Sequence, residues 1–212
     1  MRILQIVPYF YPSWAYGGPV PIVYNLSKEL AKKGHEVEVC TTDTIDKNSR
    51  KREKVSSIDG IKVYYFKNLS NSLAWNYKLF FSLGMIPQLK KEMETFDIIH
   101  LQEYRTFQNI VAHHYAIRYG IPYVLQAHGS VETYFQKGIL KGIFDRLWGY
   151  RIVKDAAKLI ALTPEEAEQY KNIGIGEEKI EIIPNGIALS EFDNLPPRGD
   201  FRKKYGLNDS QE

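Results

Sequence analysis

The chain has 212 residues, 44% apolar and 25% charged, the composition of a folded globular domain; it excludes a disordered tail, a fibre and a coiled-coil rod. Lys and Arg number 28 against 25 Asp and Glu, a net charge of +3, and residues 46–54 alone hold five positive and two negative side chains, so the rest balances at 23 against 23. A nucleic-acid binder carries a basic stripe across its fold, and this excess sits in one polar loop.

Residues 2–7 are a short apolar run with β-branched members, which predicts a buried strand. No basic-then-apolar leader precedes it, and a cytoplasmic chain is expected. A loop with two prolines and several aromatic residues then leads to Gly17-Gly18-Pro19, where proline suits a first helical position. The spacing of Val23, Leu26 and Leu30 predicts a helix stopped by Gly34. Alternation of Val37, Val39 and Thr41 predicts a strand over 35–42, and a third covers 61–66 after a loop rich in charge and serine. Residues 75–94 read as mostly helical, 96–101 as a compact strand, 106–119 as a helix closed by Gly120, and 122–127 as another strand.

A long amphipathic helix is expected over 137–154, with Leu140, Phe144, Leu147 and Trp148 on the face that packs on the sheet. A membrane-surface role is the alternative for that face. A strand follows at 158–162. Thr163-Pro164-Glu165-Glu166 is a helix start, with a threonine cap and acids at the positive end of the dipole. The last strand, 179–183, ends at Pro184-Asn185-Gly186, and 195–199 reads as a linker before a polar helical fragment at 200–205. Strands alternating with helices predict an α/β fold: a three-layer, Rossmann-like domain with a mostly parallel, doubly wound sheet. No stretch approaches the ~18 uninterrupted apolar residues of a membrane span. Cys40 is the single cysteine, which excludes an internal disulfide and a cysteine-rich metal site.

Ligands of such sheets bind at the carboxyl ends of strands, so the loops 8–18, 101–105, 127–133, 163 and 184–186 are the ones to inspect. Gly17 and Gly18 let backbone amides approach an anion at a helix start; one such contact contributes about 0.3–1 kcal/mol and steers a phosphate more than it anchors one. The pair is neither a G-x-G-x-x-G fingerprint nor a P-loop. His128 follows a strand beside Gly129, where it either donates to a sugar hydroxyl or phosphate or packs locally; His100 is expected to be structural. Glu103 and Glu132 lie on favourable loops, each either a base or a solvated side chain. His113 and His114 fall on different helix faces, and no zinc-type spacing occurs, so no metal is expected.

Five segments then carry a family likeness: Gly17-Gly18 opening a helix, Leu30-Ala31-Lys32-Lys33-Gly34-His35-Glu36-Val37, Phe96-Asp97-Ile98-Ile99-His100, Ala127-His128-Gly129, and Lys179-Ile180-Glu181-Ile182-Ile183-Pro184-Asn185-Gly186-Ile187. In order and spacing they resemble the family 4 (group 1) glycosyltransferases, over about residues 1–195. The resemblance implies one half of a GT-B fold, in which an amino-terminal domain receives the acceptor and a second domain holds the nucleotide sugar. It implies a metal-independent, retaining transfer from a nucleotide-sugar donor to a glycan, lipid or small-molecule acceptor. By motif, Gly17 and Gly18 would face the donor diphosphate and His128 the transferred sugar. Asn185-Gly186 would shape the loop toward the second domain. Glu103, Tyr104, Ser130 and Arg151 are the candidate acceptor-side residues.

The family's G-R-x4-K-like stretch and its E-x7-E motif are absent here, so residues 196–212 read as a linker and the opening of a missing donor-binding domain, and the chain is expected to be inactive alone. The competing reading is a non-catalytic sugar- or nucleotide-binding module acting with a partner chain. A Rossmann oxidoreductase or epimerase is disfavoured by the missing dinucleotide fingerprint. The expected partners are a nucleotide sugar, a carbohydrate or lipid-linked acceptor and the second domain, with contact to the inner face of a membrane as an option.

Overall fold

A computed structural model describes residues 1–131, 138–189, 193 and 195–207. Its strands are β1 (Arg2–Ile6), β2 (Glu36–Thr42), β3 (Val55–Ile58), β4 (Ile61–Phe66), β5 (Ile98–Gln102), β6 (Tyr123–Gln126), β7 (Lys158–Ala161) and β8 (Ile180–Ile182). They form one sheet in the order β3-β4-β2-β1-β5-β6-β7-β8. Every neighbouring pair is parallel except β3–β4. The order reverses at β1, with β2 and β4 on one side and β5 to β8 on the other. The crevice between the carboxyl ends of β1 and β5 is therefore the switch point of the sheet.

The helices are α1 (Pro19–Lys32), α2 (Asn71–Tyr77), α3 (Met85–Glu92), α4 (Phe107–Tyr119), α5 (Gly138–Phe144), α6 (Tyr150–Asp155), α7 (Pro164–Asn172) and α8 (Asp200–Tyr205). Period-two alternation sorts the strand side chains onto two faces. Leu4, Ile6, Ile99, Leu101, Leu125 and Leu159 pack with α3, α4, α6 and α7. Val37, Val39, Ile61, Val63 and Tyr65 pack on the other face with Phe10 and Val23 of α1. This is the expected three-layer, Rossmann-like α/β domain. On the second face β1, β5 and β6 carry polar residues toward their carboxyl ends: Gln5, His100, Gln102 and Gln126, all buried.

Three elements differ from the sequence reading. The serine-rich loop contains β3, closed onto β4 by Asp59-Gly60 with both residues at positive φ, 50° and 81°. Asp-Gly at a two-residue connection is the hairpin signal that reveals it. The single helix over 75–94 is two, because Lys78 turns left-handed (φ 55°) and Asn68 ties down the segment between them. The Asn68 carboxamide donates to the Ser70 carbonyl (2.9 Å) and accepts from the Phe81 amide (2.9 Å). The helix over 137–154, described from Gly138 onward, is interrupted by a π turn at Asp145–Gly149. Phe144 packs against the core as expected, but Leu140, Leu147 and Trp148 are exposed; Asp145, Ile152 and Val153 are buried. Among the described residues no helix is long and apolar enough to cross a membrane.

Candidate functional site

Glu103 follows β5 at the switch point, in a left-handed conformation (φ 66°) that costs a non-glycine residue energy. The surrounding bonds hold it there. Its amide donates to the Gln126 carbonyl (2.9 Å), and Asn109 of α4 donates Nδ2 to the Glu103 carbonyl (2.8 Å). Its Oε1 accepts the Tyr9 hydroxyl at 2.6 Å, which draws the loop after β1 across to β5. Tyr9 stacks on Tyr16 with centroids 5.0 Å apart, and the Lys78 ammonium lies 5.0 Å from the Tyr16 ring. Burial raises the Glu103 carboxyl above its ordinary value, while the Tyr9 bond and Lys78 oppose that.

His128 and Gly129 are consecutive residues at positive φ, 53° and 77°, within a turn closed by the Ser130 amide on the Ala127 carbonyl (3.1 Å). His128 Nε2 lies 2.7 Å from Gln102 Oε1, and Gln102 Nε2 donates to Gln5 Oε1 at 2.9 Å. Side chains from β1, β5 and the end of β6 thus form one relay. With the Gln102 oxygen facing the ring, Nε2 carries the proton and Nδ1 offers a lone pair. Burial pushes His128 down to about 4. Burial and the neighbouring His128 push His100 down to about 3. Both rings are neutral at pH 7, so His128 is an acceptor for a hydroxyl and not a cationic partner for a phosphate.

Two charged side chains set the position of this turn. Glu166, in the first turn of α7, does not close a capping box onto Thr163. It accepts the Leu162 amide (2.7 Å) with one oxygen and the Gly129 amide (2.7 Å) with the other. Arg105 bonds Asp145 of the π turn in two places, Nε to Oδ1 at 2.9 Å and a terminal nitrogen to Oδ2 at 2.7 Å. It also donates to the carbonyls of Ser130 and Val131, the latter at 3.0 Å. The sequence reading named neither role. Glu166 has the spacing of a capping residue, which marks a helix start but not what its second oxygen holds.

The structure brings Glu103, His128 and Ser130 to the carboxyl edge, but Ser130 is committed: its hydroxyl donates to the Ala127 carbonyl (2.5 Å). Tyr104 is buried, with the Arg105 guanidinium 4.4 Å from its ring centroid. Arg151 instead lines a groove with His113, Ile117 and Trp148 in the helical layer. The glycine pair offers less than expected. The Gly17 amide donates to the Trp14 carbonyl (3.1 Å), and Pro19 and Pro21 remove two donors from the first turn of α1. That leaves the Gly18 amide, with open space where a Cβ would stand. His100 sits in the sheet as expected, and Asn185 accepts from Gln126 Nε2 at 3.2 Å. Glu132 lies outside the described residues. Among those described, no three His, Cys, Asp or Glu side chains gather as a metal-holding group.

The chain is similar to known proteins along almost its whole length. It is 26% identical over 202 residues to a D-inositol 3-phosphate glycosyltransferase of Kineococcus radiotolerans, covering 90% of this chain and 45% of that one. It is 23% identical to an uncharacterized glycosyltransferase of Methanocaldococcus jannaschii, covering 99% and 53%. The chain thus spans about half the length of these curated relatives. Among solved structures it resembles Anabaena HepE in complex with UDP-glucose, with a TM-score of 0.65 and 16% identity over 98% of this chain and 50% of that one. It also resembles the catalytic domain of Arabidopsis thaliana starch synthase IV bound to ADP and acarbose, with a TM-score of 0.62 and 14% identity over 100% and 60%. These two likenesses are of fold: one Rossmann-like half of a GT-B architecture. The model of Glycosyltransferase Family 4 matches residues 16–191, and the chain belongs to that family.

Proposed function

We propose that this chain is the acceptor-side domain of a retaining glycosyltransferase that moves a sugar from a nucleotide-sugar donor to a glycan, lipid or small-molecule acceptor. One observation carries the reading: the switch-point crevice offers hydrogen-bond acceptors and almost no anion cradle. The neutral His128 ring and the Glu103 carboxyl group suit sugar hydroxyls. A diphosphate meets at the glycine turn a single uncommitted amide, that of Gly18, at the positive end of α1. Most of the donor's charge is therefore held by a second domain, with residues 1–195 forming the acceptor half and 196–212 leading toward that domain. UDP-glucose in HepE supports a nucleotide sugar as the donor class.

In this reading His128 stands at the reaction centre, its tautomer set by Gln102 and Gln5 and its height by Glu166 and Arg105. Nδ1 accepts a hydroxyl of the transferred sugar, and Glu103 with Tyr9 receives the acceptor. Leaving-group charge is met by the Gly18 amide and by groups of the second domain, with no metal. The enzyme is cytoplasmic, and it meets the inner face of a membrane where the acceptor is lipid-linked.

The test joins residues 1–212 to a donor-holding domain and follows transfer of labelled sugar from a panel of nucleotide sugars. His128→Ala lowers the rate by about 10²-fold or more, the loss usual for a group that acts in the transition state. The unjoined chain transfers nothing. Equal rates for wild type and His128→Ala refute the assignment. Sugar binding without transfer in any joined form leaves a non-catalytic module.

A further inference from the structure

Four polar side chains are buried on the sheet face that carries the site: Gln5, Gln102, Gln126 and His100, none more than 7% exposed. Burial at that level costs free energy unless each polar atom has a partner. Two bonds already join Gln102 and Gln5 to His128, and Gln126 Nε2 donates to Asn185 Oδ1 at 3.2 Å. Gln126 also hydrogen-bonds the His100 ring. Two atoms are left over. Gln5 Nε2 and His100 Nε2 are buried and have no hydrogen-bond partner among the described residues.

The two atoms belong to neighbours. Gln5 stands opposite His100 in the β1–β5 register, with both side chains on the same face. Their chemistry is complementary. A glutamine nitrogen only donates, and His100 Nε2 accepts when Nδ1 carries the proton toward the Gln126 oxygen. That oxygen is available, because the Gln126 nitrogen serves Asn185. A water between them accepts from Gln5 and donates to His100, and two polar partners are enough to hold one. The donors then all run one way, from His128 through Gln102, Gln5, the water, His100 and Gln126 to Asn185. Flipping a single amide sets oxygen against oxygen or nitrogen against nitrogen, so the row reverses as a whole or not at all. In the reversed row Nδ1 of His128 carries the proton and its lone pair is lost to the crevice.

We propose that Gln5, His100 and Gln126, with one water bound between Gln5 and His100, are positioning residues that tie the tautomer of His128 to the side chain of Asn185. This deepens the proposed reaction and rests on the role that His128 has in it. Nδ1 presents its lone pair to the sugar because the row behind the ring points its donors one way. Asn185 lies after β8, toward the residues that lead to the second domain, so a shift there is felt at the ring.

The experiment is nitrogen NMR of the 212-residue chain with its histidine rings labelled and no donor or acceptor present. His128 protonated at Nε2, His100 protonated at Nδ1 and a water cross-peak to the Gln5 side-chain amide are the expected result. Gln5→Met breaks the row in the middle and Asn185→Ala removes its far end. Each changes the His128 tautomer ratio by about two- to tenfold, the weight of one hydrogen bond. Asn185→Asp, which can only accept, keeps Nε2 protonated. Asn185 is exposed and does not touch His128, so its variants keep the test open even where Gln5→Met fails to fold. His128 protonated at Nδ1 in the wild type, no water at Gln5, or an unchanged ratio in Asn185→Ala overturns the proposal. An unchanged ratio together with sugar transfer lost in His128→Ala refutes this row and leaves the proposed reaction standing. A changed ratio with full transfer by His128→Ala supports the row and refutes the reaction.

Discussion

Arg105→Met is the most informative single change to the scaffold of the site. In the native fold Arg105 and Asp145 are both mostly buried, their side chains 12% and 7% exposed, and they meet in a two-point pair. The substitution keeps apolar bulk but leaves Asp145 as a buried charge without its partner, which costs about 3–5 kcal/mol. It also strips the carbonyls of Ser130 and Val131 of a charged donor, each about 1.5–3 kcal/mol where no water replaces it. Against a total of about 5–15 kcal/mol for a domain, the variant loses a third or more of its stability. Urea unfolding followed by far-ultraviolet circular dichroism measures this for wild type, Arg105→Met, Asp145→Asn and the double variant. The double variant falls short of the sum of the singles by about 2–3 kcal/mol, the sign of a direct interaction. Strict additivity, or a cost below about 1 kcal/mol for Arg105→Met, refutes the pair as the strut of the His128 turn.

Acid weakens the fold through its buried histidines. His128 titrates near 4 and His100 near 3 in the folded chain, against 6.5 when unfolded. Between pH 6.5 and 4 the unfolded chain therefore binds more protons, and stability falls as pH falls through that window, by on the order of 3 kcal/mol for His128. Urea midpoints at pH 7 and pH 5 measure the loss, and ring resonances titrating near 6.5 in the folded protein contradict it. Glycine positions separate tight packing from open helix. A Cβ at Gly149 would stand 2.6 Å from Asp145 Oδ1 and 2.7 Å from the Tyr104 hydroxyl, so Gly149→Ala destabilises by about 1–3 kcal/mol. Gly142 in α5 has open space around it, and Gly142→Ala stabilises by up to about 1 kcal/mol in the same unfolding assay.

What could be read from the sequence is what local chemistry controls. Thr163 caps the helix it is expected to cap, accepting the Glu166 amide at 3.3 Å, and Thr106, expected only as the start of a helix, caps it by accepting the Asn109 amide at 3.1 Å. The apolar runs at β1 and β5 are buried strands because parallel strands lie covered on both faces. The carboxyl-edge loops followed from that topology, and with them Glu103 and His128. What escaped is set by contacts distant along the chain. Asp145 lies 40 residues from Arg105, and Glu166 lies 37 from Gly129. In the sequence Arg105 is one more loop cation, and Glu166 one more acid at a helix start. The 137–154 periodicity predicts one amphipathic helix, but a π turn at Asp145–Gly149 interrupts it, and Leu140 and Leu147 face outward. The glycine pair has the spacing of an amide cradle, but the Trp14 carbonyl takes the Gly17 amide and Pro19 and Pro21 lack amide protons.

In the proposed reaction the β1–β5 crevice, and not the groove between α4 and α6, meets the sugar substrate. Titrating the isotopically labelled chain with UDP-, ADP- and GDP-sugars, and following backbone amide shifts by NMR, tests it most directly. Weak binding of at least one of them is expected, with shifts gathered at Gly18, Glu103, His128 and Gly129 and lost in His128→Ala. Shifts centred instead on His113, Ile117 and Arg151, or none at the four crevice amides across the whole panel, contradict it.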